Sequence, residues 1–191
     1  KTRQVFIIEE YITGQEFSVE LFIQNKEIKF ASVTEKLSTP LPYFVEVGHI
    51  VPTSVHMDQT QALVSASLRG VLALGFSNGP VHVEIRLSPK GPRIMETNGR
   101  VAGDSIATDL LINAWGVNLF HVMMNHLLGL PCDASPKKHQ ASAIVFLTAK
   151  KEGVVTAIDG LDTLRQQPHV VKHHVSVKIG DRVRPAQENA D

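Results

Sequence analysis

The sequence predicts an α+β protein: an antiparallel β-sheet with helices packed on it, followed by a small β-rich unit. Three observations predict it. Short apolar runs come in neighbouring pairs around turn residues, a stretch of helical spacing follows each group of runs, and beyond about residue 138 the runs shorten and helical spacing stops.

Taken in order, residues 4–12 (QVFIIEEYI) and 16–24 (EFSVELFIQ) read as two strands around Thr13-Gly14. EIKFASVT follows the Asn25-Lys26 turn as a third strand. LSTPLPYF holds two prolines and reads as a loop leading into VEVGHIVP. From Met57 to Leu74, apolar residues at Val64, Leu68, Val71 and Leu72 fall at helical spacing, and Gly75 is a stop. VHVEIRL and RIMETNGR then flank the turn Ser88-Pro89-Lys90-Gly91-Pro92, which gives a hairpin. A single long helix is expected from Ser105 to Leu128, capped by Asp104 or Ser105 and stopped at Gly129-Leu130-Pro131. With helices on one face of the sheet, residues 1–138 form the first domain. Residues 139–191, with the strand-like runs SAIVFLTA, GVVTAI and HVVKHHVSVKI, form the second.

Composition excludes several classes. The 191 residues carry 19 basic and 19 acidic side chains, so no charge excess favours nucleic acid. Cys132 is the only cysteine, which rules out an internal disulfide and fits a reducing compartment. No apolar run approaches the ~18–20 residues of a membrane span, and no signal segment opens the chain, so a cytoplasmic location is expected. The start at Lys1 and the polar ending at Asp191 suggest a piece of a longer protein.

The hairpin carries the chemistry. Symmetry about Lys90 sets Glu84 opposite Glu96 and His82 opposite Asn98. Alternation then puts His82, Glu84, Arg86, Ile94, Glu96, Asn98 and Arg100 on one face, and Val83, Ile85, Leu87 and Met95 on the other. Opposed residues have Cβ atoms about 4.5–5.5 Å apart, where two carboxylates repel. A hard divalent cation resolves the repulsion: Mg²⁺, or Mn²⁺ in its place, takes oxygen ligands and leaves positions for phosphate and water. The other reading is a solvated face on which Arg86 and Arg100 neutralise the acids as surface pairs.

EEYITGQEFSVE, VEVGHIVP and VHVEIRLSPKGPRIMETNGRVAGD, in that order, resemble the ATP-grasp superfamily of carboxylate-amine ligases. The similarity is closest to the L-amino-acid ligase branch, which joins amino acids into dipeptides, and it runs from about residue 4 to 130. The trailing β unit resembles that branch's C-terminal subdomain. The resemblance implies ATP and Mg²⁺ as cofactors. It makes Glu9, Glu10, Tyr11 and Ile12 the adenine-holding hinge, with backbone atoms of Glu10 and Ile12 on the base edge and Glu16 on the ribose hydroxyls. It makes Glu84 and Glu96 the metal-binding acids and Asn98 their supporting amide. Arg100 would steady the acyl phosphate and the substrate carboxylate, and the Gly103 N–H would hold a carboxylate, with Gly99 allowing close backbone approach. Glu46 and His49 would line the amino-acid pocket, Glu46 on an ammonium group and His49 near the acyl phosphate. Asp104 stands where pocket size or polarity is set, or caps the helix.

Three other features carry less. Alternation sends His173 and His174 to opposite faces, so with His169 they read as surface strand rather than a metal cluster. Trp115, Phe120, Met123 and Met124 read as helix core, and Lys36, in TEK, is close enough in order to the pocket to touch phosphate but reads better as a loop-edge surface lysine. The function implied is amide formation through an acyl phosphate, with small-molecule carboxylate and amine substrates and neither nucleic acid nor membrane as partner. No N-terminal domain or phosphate-binding lysine subdomain of such enzymes is recognisable here, so the rest would come in cis or in trans. Two alternatives stand beside this reading: a non-catalytic nucleotide-binding or assembly module, and another ATP-grasp branch, biotin-carboxylase-like or D-alanine ligase-like.

Overall fold

The computed structural model describes residues 6–187. Two compact units form, one from the N-terminal stretch through Leu37 with Gly48–Val145, the other from Ser38–Val47 with the chain from Phe146 onward.

The first unit is built on an antiparallel sheet. Strands β1 (Gln15–Gln24), β2 (Glu27–Ser38), β3 (Glu46–Val51), β4 (Gly79–Ser88), β5 (Gly91–Asn98) and β6 (Ser142–Val145) lie in the order β5-β4-β1-β2-β3-β6. The β1–β2 turn follows from its residues. Asn25 and Lys26 both take positive φ, 54° and 66°, as a two-residue turn matched to strand twist requires. Residues 6–12 form no strand, so the run expected over 4–12 is not a sheet element where it is described, and residues 4 and 5 lie outside the described residues. Its apolar side chains Phe6, Ile7 and Ile8 are exposed.

Helix α1 (Met57–Ala73) lies where its spacing placed it, with the His56 ring accepting from the Asp58 N–H at its start and Gly75 at φ 81° beyond its end. It packs on the odd-numbered face of β1. Phe17, Val19, Leu21, Ile23, Val33, Leu63, Ala66, Val71, Val81, Val83 and Ile85 make one buried cluster there. The long helix expected from Ser105 to Leu128 is broken. A single π-turn over Ile106–Leu110 runs into α2 (Leu111–Trp115), Gly116 at φ 68° ends it, and α3 (Leu119–Leu127) restarts with the Asn118 side chain accepting from the His121 N–H. Neither Asp104 nor Ser105 caps a helix, for both sit at positive φ, 46° and 62°, and the Ser105 hydroxyl makes no cap bond. These segments bury Ile106, Leu110, Leu111, Ala114, Leu119 and Val122 with Phe22 and Phe30, on the even-numbered face. The expected single helical face is therefore corrected to two, because Phe22 and Phe30 make the far end of the even face apolar.

The second unit contains β7 (Gly153–Val154), α4 (Leu161–Arg165) and β8 (Arg182–Val183), with β7 and β8 paired antiparallel. HVVKHHVSVKI forms no strand, and its valines at 171, 175 and 177 are exposed. No helix among the described residues is long and apolar enough to cross a membrane.

Candidate active site

The even face of the sheet turns polar where the helical cover of Phe22 and Phe30 ends. Register sets Glu16 opposite Arg86, Ser18 opposite Glu84 and Glu20 opposite His82 across β1–β4. On the other flank of β1, Ser18 faces Thr34 and Glu20 faces Ser32. The Trp115 indole N–H donates to the Ser32 hydroxyl at 2.9 Å, where the helical cover of Phe22 and Phe30 gives way to the polar floor.

The β4–β5 register is as the hairpin symmetry predicts at the key positions: Glu84 opposite Glu96, His82 opposite Asn98. It gets there by two compensating departures. The turn closes on Ser88 opposite Gly91, one residue tighter than symmetry about Lys90, and an unpaired Met95 bulges out between Ile94 and Glu96. Ile94 consequently pairs with Ile85 and turns to α1, where its Cδ1 fills the space a Cβ on Gly70 would need. The expectation that Ile94 shares the carboxylate face is thus overturned by the bulge, which reverses the parity of β5.

Charge on this floor is arranged in short links. Lys36 Nζ donates to Glu84 Oε1 at 2.9 Å and lies 3.5 Å from Glu16 Oε1. Arg86 holds Glu16 Oε2 through Nη2 at 2.8 Å and Nε at 3.2 Å. The same guanidinium donates to the Ile12 carbonyl at 2.8 Å and lies 5.7 Å from the Tyr11 ring centroid, tying segment 9–12 to β4. Glu9 and Glu10 are exposed. His82 Nδ1 is 3.0 Å from Glu20 Oε2 and its Nε2 is 3.4 Å from Glu84 Oε1. Burial works against a charged His82, yet its bonds to Glu20 and Glu84 outweigh burial and raise its pKa to about 9. Glu84 is correspondingly drawn down to about 2, first by the His82 hydrogen bond and then, against burial, by Lys36.

Glu96 is exposed and makes no hydrogen bond or ion pair among the described residues. Arg86 is committed to Glu16 and Ile12, and the described bond of the Arg100 side chain is to its neighbour's carbonyl, Val101 O, at 3.0 Å. The surface-pair reading, in which those two arginines neutralise Glu84 and Glu96, therefore does not describe this face. Lys36 is corrected from a surface lysine to a buried one, its side chain 3% exposed. Gly103 has open space where a Cβ would stand, and its carbonyl accepts from the Ile106 N–H at 2.8 Å. A Cβ on Gly99 would meet the Phe76 ring at 3.0 Å. Glu46 and His49 lie on β3, with His49 fully buried, and a His49 ring nitrogen lies within 4.8 Å of an Asp104 carboxylate oxygen.

The structure thus brings Glu84, Glu96 and Asn98 onto one face with Glu16, joins Lys36 and Arg86 to them, and adds Glu20 and His82, which sequence reasoning left without a role. For Glu20 and His82 a signal was available. Ser-x-Glu on β1 and His-x-Glu on β4 carry polar side chains at a period of two, with the alternate positions apolar: Phe17, Val19 and Leu21 on β1, Val81, Val83 and Ile85 on β4.

An oxygen-rich, carboxylate-facing donor set with one carboxylate unpaired suits Mg²⁺ rather than a softer ion. Glu84 Oε1 is occupied by Lys36 and His82, while no described residue bonds Oε2.

A model of the ATP-grasp domain matches residues 1–109, and a model of the L-amino acid ligase C-terminal domain 2 matches residues 145–191. Carnosine synthase 1 of Gallus gallus is 31% identical over 163 residues, 81% of this chain and 17% of that protein. The crystal structure of L-amino acid ligase from Bacillus licheniformis aligns with a TM-score of 0.77 at 23% identity, covering 92% of this chain and 44% of that one. Phosphoribosylglycinamide synthetase from Anaerococcus prevotii aligns at 0.75 and 19% identity, covering 95% and 47%. At such identities the two structures establish the fold. The chain spans less than half the length of each of these three proteins.

Proposed function

The chain belongs to the ATP-grasp domain family, and we propose that it forms the nucleotide- and metal-binding part of an ATP-dependent carboxylate-amine ligase acting on L-amino acids. One observation carries the reading: Glu84 and Glu96 oppose each other across β4 and β5, and no described cation compensates Glu96.

In this proposal Glu84, Glu96 and Asn98 hold Mg²⁺ or Mn²⁺. When bound, the ion would supply charge neutralisation for the transferring phosphoryl group. Segment 9–12, fastened by Arg86 through the Ile12 carbonyl, presents the backbone of Glu10 and Ile12 to adenine. Glu16 receives the ribose hydroxyls. Lys36 stands between Glu16 and Glu84, and so beside the path from ribose to metal, where its ammonium group meets phosphate oxygens. Arg100, bound only to a backbone carbonyl in the described structure, can turn its guanidinium to the phosphoryl group in flight and to a substrate carboxylate. The Gly103 N–H holds a carboxylate, and Glu46 and His49 serve the amino-acid pocket. Chemically, a substrate carboxylate oxygen attacks the γ-phosphorus and ADP leaves. An amine then attacks the acyl carbon, losing a proton as phosphate departs. Catalysis is positioning and charge neutralisation, which this set of fixed donors and acceptors provides.

With the reading goes the domain division expected from sequence, an ATP-grasp part through residue 138 and a C-terminal subdomain from 139. The remaining parts of such an enzyme would be supplied in cis or in trans. The test is phosphate release by the full-length protein with Mg²⁺·ATP across pairs of amino acids. Release is expected for some pairs and a loss of at least 100-fold with Glu96→Gln. Nucleotide binding without release for any pair would favour a binding module, and activity surviving Glu96→Gln would remove the metal assignment.

A further inference from the structure

We propose that Glu20 and His82 are positioning residues for Glu84: through Glu84 Oε1 they fix which carboxylate oxygen faces the cation. The proposal rests on the metal reading above. Neither residue touches nucleotide or metal in that reading, yet both are almost fully buried, Glu20 at 1% and His82 at 4% exposure.

The links run in one direction across the floor. The Ser18 hydroxyl donates to Glu20 Oε1 at 2.7 Å, fixing the carboxylate of Glu20. Both oxygens of Glu20 take His82 Nδ1, at 3.1 and 3.0 Å, which fixes the plane and the face of the imidazole. That places Nε2 3.4 Å from Glu84 Oε1, the same oxygen that accepts from Lys36 Nζ at 2.9 Å. Lys36 and His82 thus both face one oxygen of Glu84, no described residue bonds Oε2, and Glu96 stands directly across the strand pair. A glutamate has three rotatable side-chain bonds, so a carboxylate facing a like charge would swing away unless held. Partners that hold a ligand in orientation typically account for 10–100-fold in metal affinity.

Stability alone does not explain the arrangement. A buried ionic pair is commonly no better for stability than an apolar pair of similar size, and the opposite face of these same strands shows that an apolar filling is available. The register Glu20 opposite His82 and Ser18 opposite Glu84 places the links without any loop, so they are as rigid as the sheet.

The test is Mn²⁺ binding by the full-length protein, followed by electron paramagnetic resonance with and without a non-hydrolysable ATP analogue. His82→Leu is expected to weaken Mn²⁺ binding at least tenfold, while affinity for the analogue without metal stays within twofold. His82→Gln, whose amide nitrogen reaches the Nε2 position, is expected to recover part of the loss. Glu20→Gln, which keeps size but loses the charge on Nδ1, is expected to fall between them. Folding of each variant is checked by circular dichroism. If His82→Leu does not fold, Glu20→Gln decides. Wild-type Mn²⁺ affinity in a folded Glu20→Gln or His82→Leu variant overturns this proposal alone, and absence of Mn²⁺ binding by the wild type overturns it together with the metal reading.

Discussion

On β1 the odd-numbered side chains Phe17, Val19, Leu21 and Ile23 are all fully buried under α1, whereas the even-numbered Glu16, Ser18 and Glu20 face a floor of charges. Two residues in this even series, Ser18 and Glu20, are as inaccessible as the apolar ones, at 0% and 1%. The difference lies in what burial requires of each face. An apolar side chain needs close neighbours but no particular atom at a particular angle, because the hydrophobic effect is non-directional. A buried carboxylate needs donors at hydrogen-bond distance, and here Ser18 and His82 supply them to Glu20. One face of the strand therefore holds the fold, and the other spends part of that stability on fixed orientation.

Breaking the apolar face should have the largest effect. Phe17 is fully buried, opposite Ile85 on β4 and within the cluster that includes Leu63 of α1. Phe17→Ala is expected to cost about 3–5 kcal/mol in urea denaturation. Glu16→Gln, the adjacent residue on the other face, should cost less than about 1 kcal/mol, because Glu16 is partly open to water and its ion pairs are screened. Equal losses at the two positions would show that the faces do not divide the work in this way.

The same contrast explains what the sequence disclosed. Glu84 opposite Glu96 was legible because alternation and the Pro-Gly turn constrain a hairpin within one residue, and two departures, the tight Ser88–Gly91 closure and the Met95 bulge, cancel before Glu84. The bulge itself leaves no mark, since Met95 is an ordinary strand residue, and so alternation alone puts Ile94 on the wrong face. The break in the long helix was marked, by Gly116 followed by Asn118 as a cap, but continuous apolar spacing on either side outweighed it. Lys36 could not be placed without knowing that β1 lies between β2 and β4, because its partners Glu16 and Glu84 are 20 and 48 residues away in sequence. Local pattern tells which face a residue takes. What stands opposite it depends on sheet order, a long-range property.

A medium-sized effect follows from His82. Its neighbours are Glu20 on β1, Glu84 on its own strand with Lys36 beyond it, and Asn98 across on β5. A pKa raised from 6.5 to about 9 means that this residue's contribution to stability is complete below pH 6.5 and is lost as pH climbs to about 9. Glu84, lowered from 4.5 to about 2, contributes fully above pH 4.5 and loses its contribution as pH falls toward 2. Metal-free protein should therefore be best served by this pair between pH 4.5 and 6.5. Urea denaturation in EDTA should show stability declining by about 1–2 kcal/mol from pH 6.5 to 9, a figure reduced for the water that reaches Glu84. The decline should be absent in His82→Gln, and its persistence there would assign it to another group.

The smallest effect has the most specific sign. Glu96 stands across from Glu84 without a described cation of its own, so in metal-free protein it faces a like charge with no ion pair to offset it. Glu96→Gln keeps the shape and removes the charge, and should raise metal-free stability by about 0.2–1 kcal/mol. Adding Mg²⁺·ATP should reverse the order, because a ligand that binds the folded state stabilises it by RT ln(1 + [L]/Kd), and only the wild type keeps both acids for the ion. The measurement is a pair of melting curves for each protein, in EDTA and with Mg²⁺·ATP. A crossing of wild type and variant between the two conditions ties the repulsion and the metal to the same pair of carboxylates. Parallel curves would mean that Glu96 is an ordinary exposed acid and that the polar face is organised around Glu84 alone.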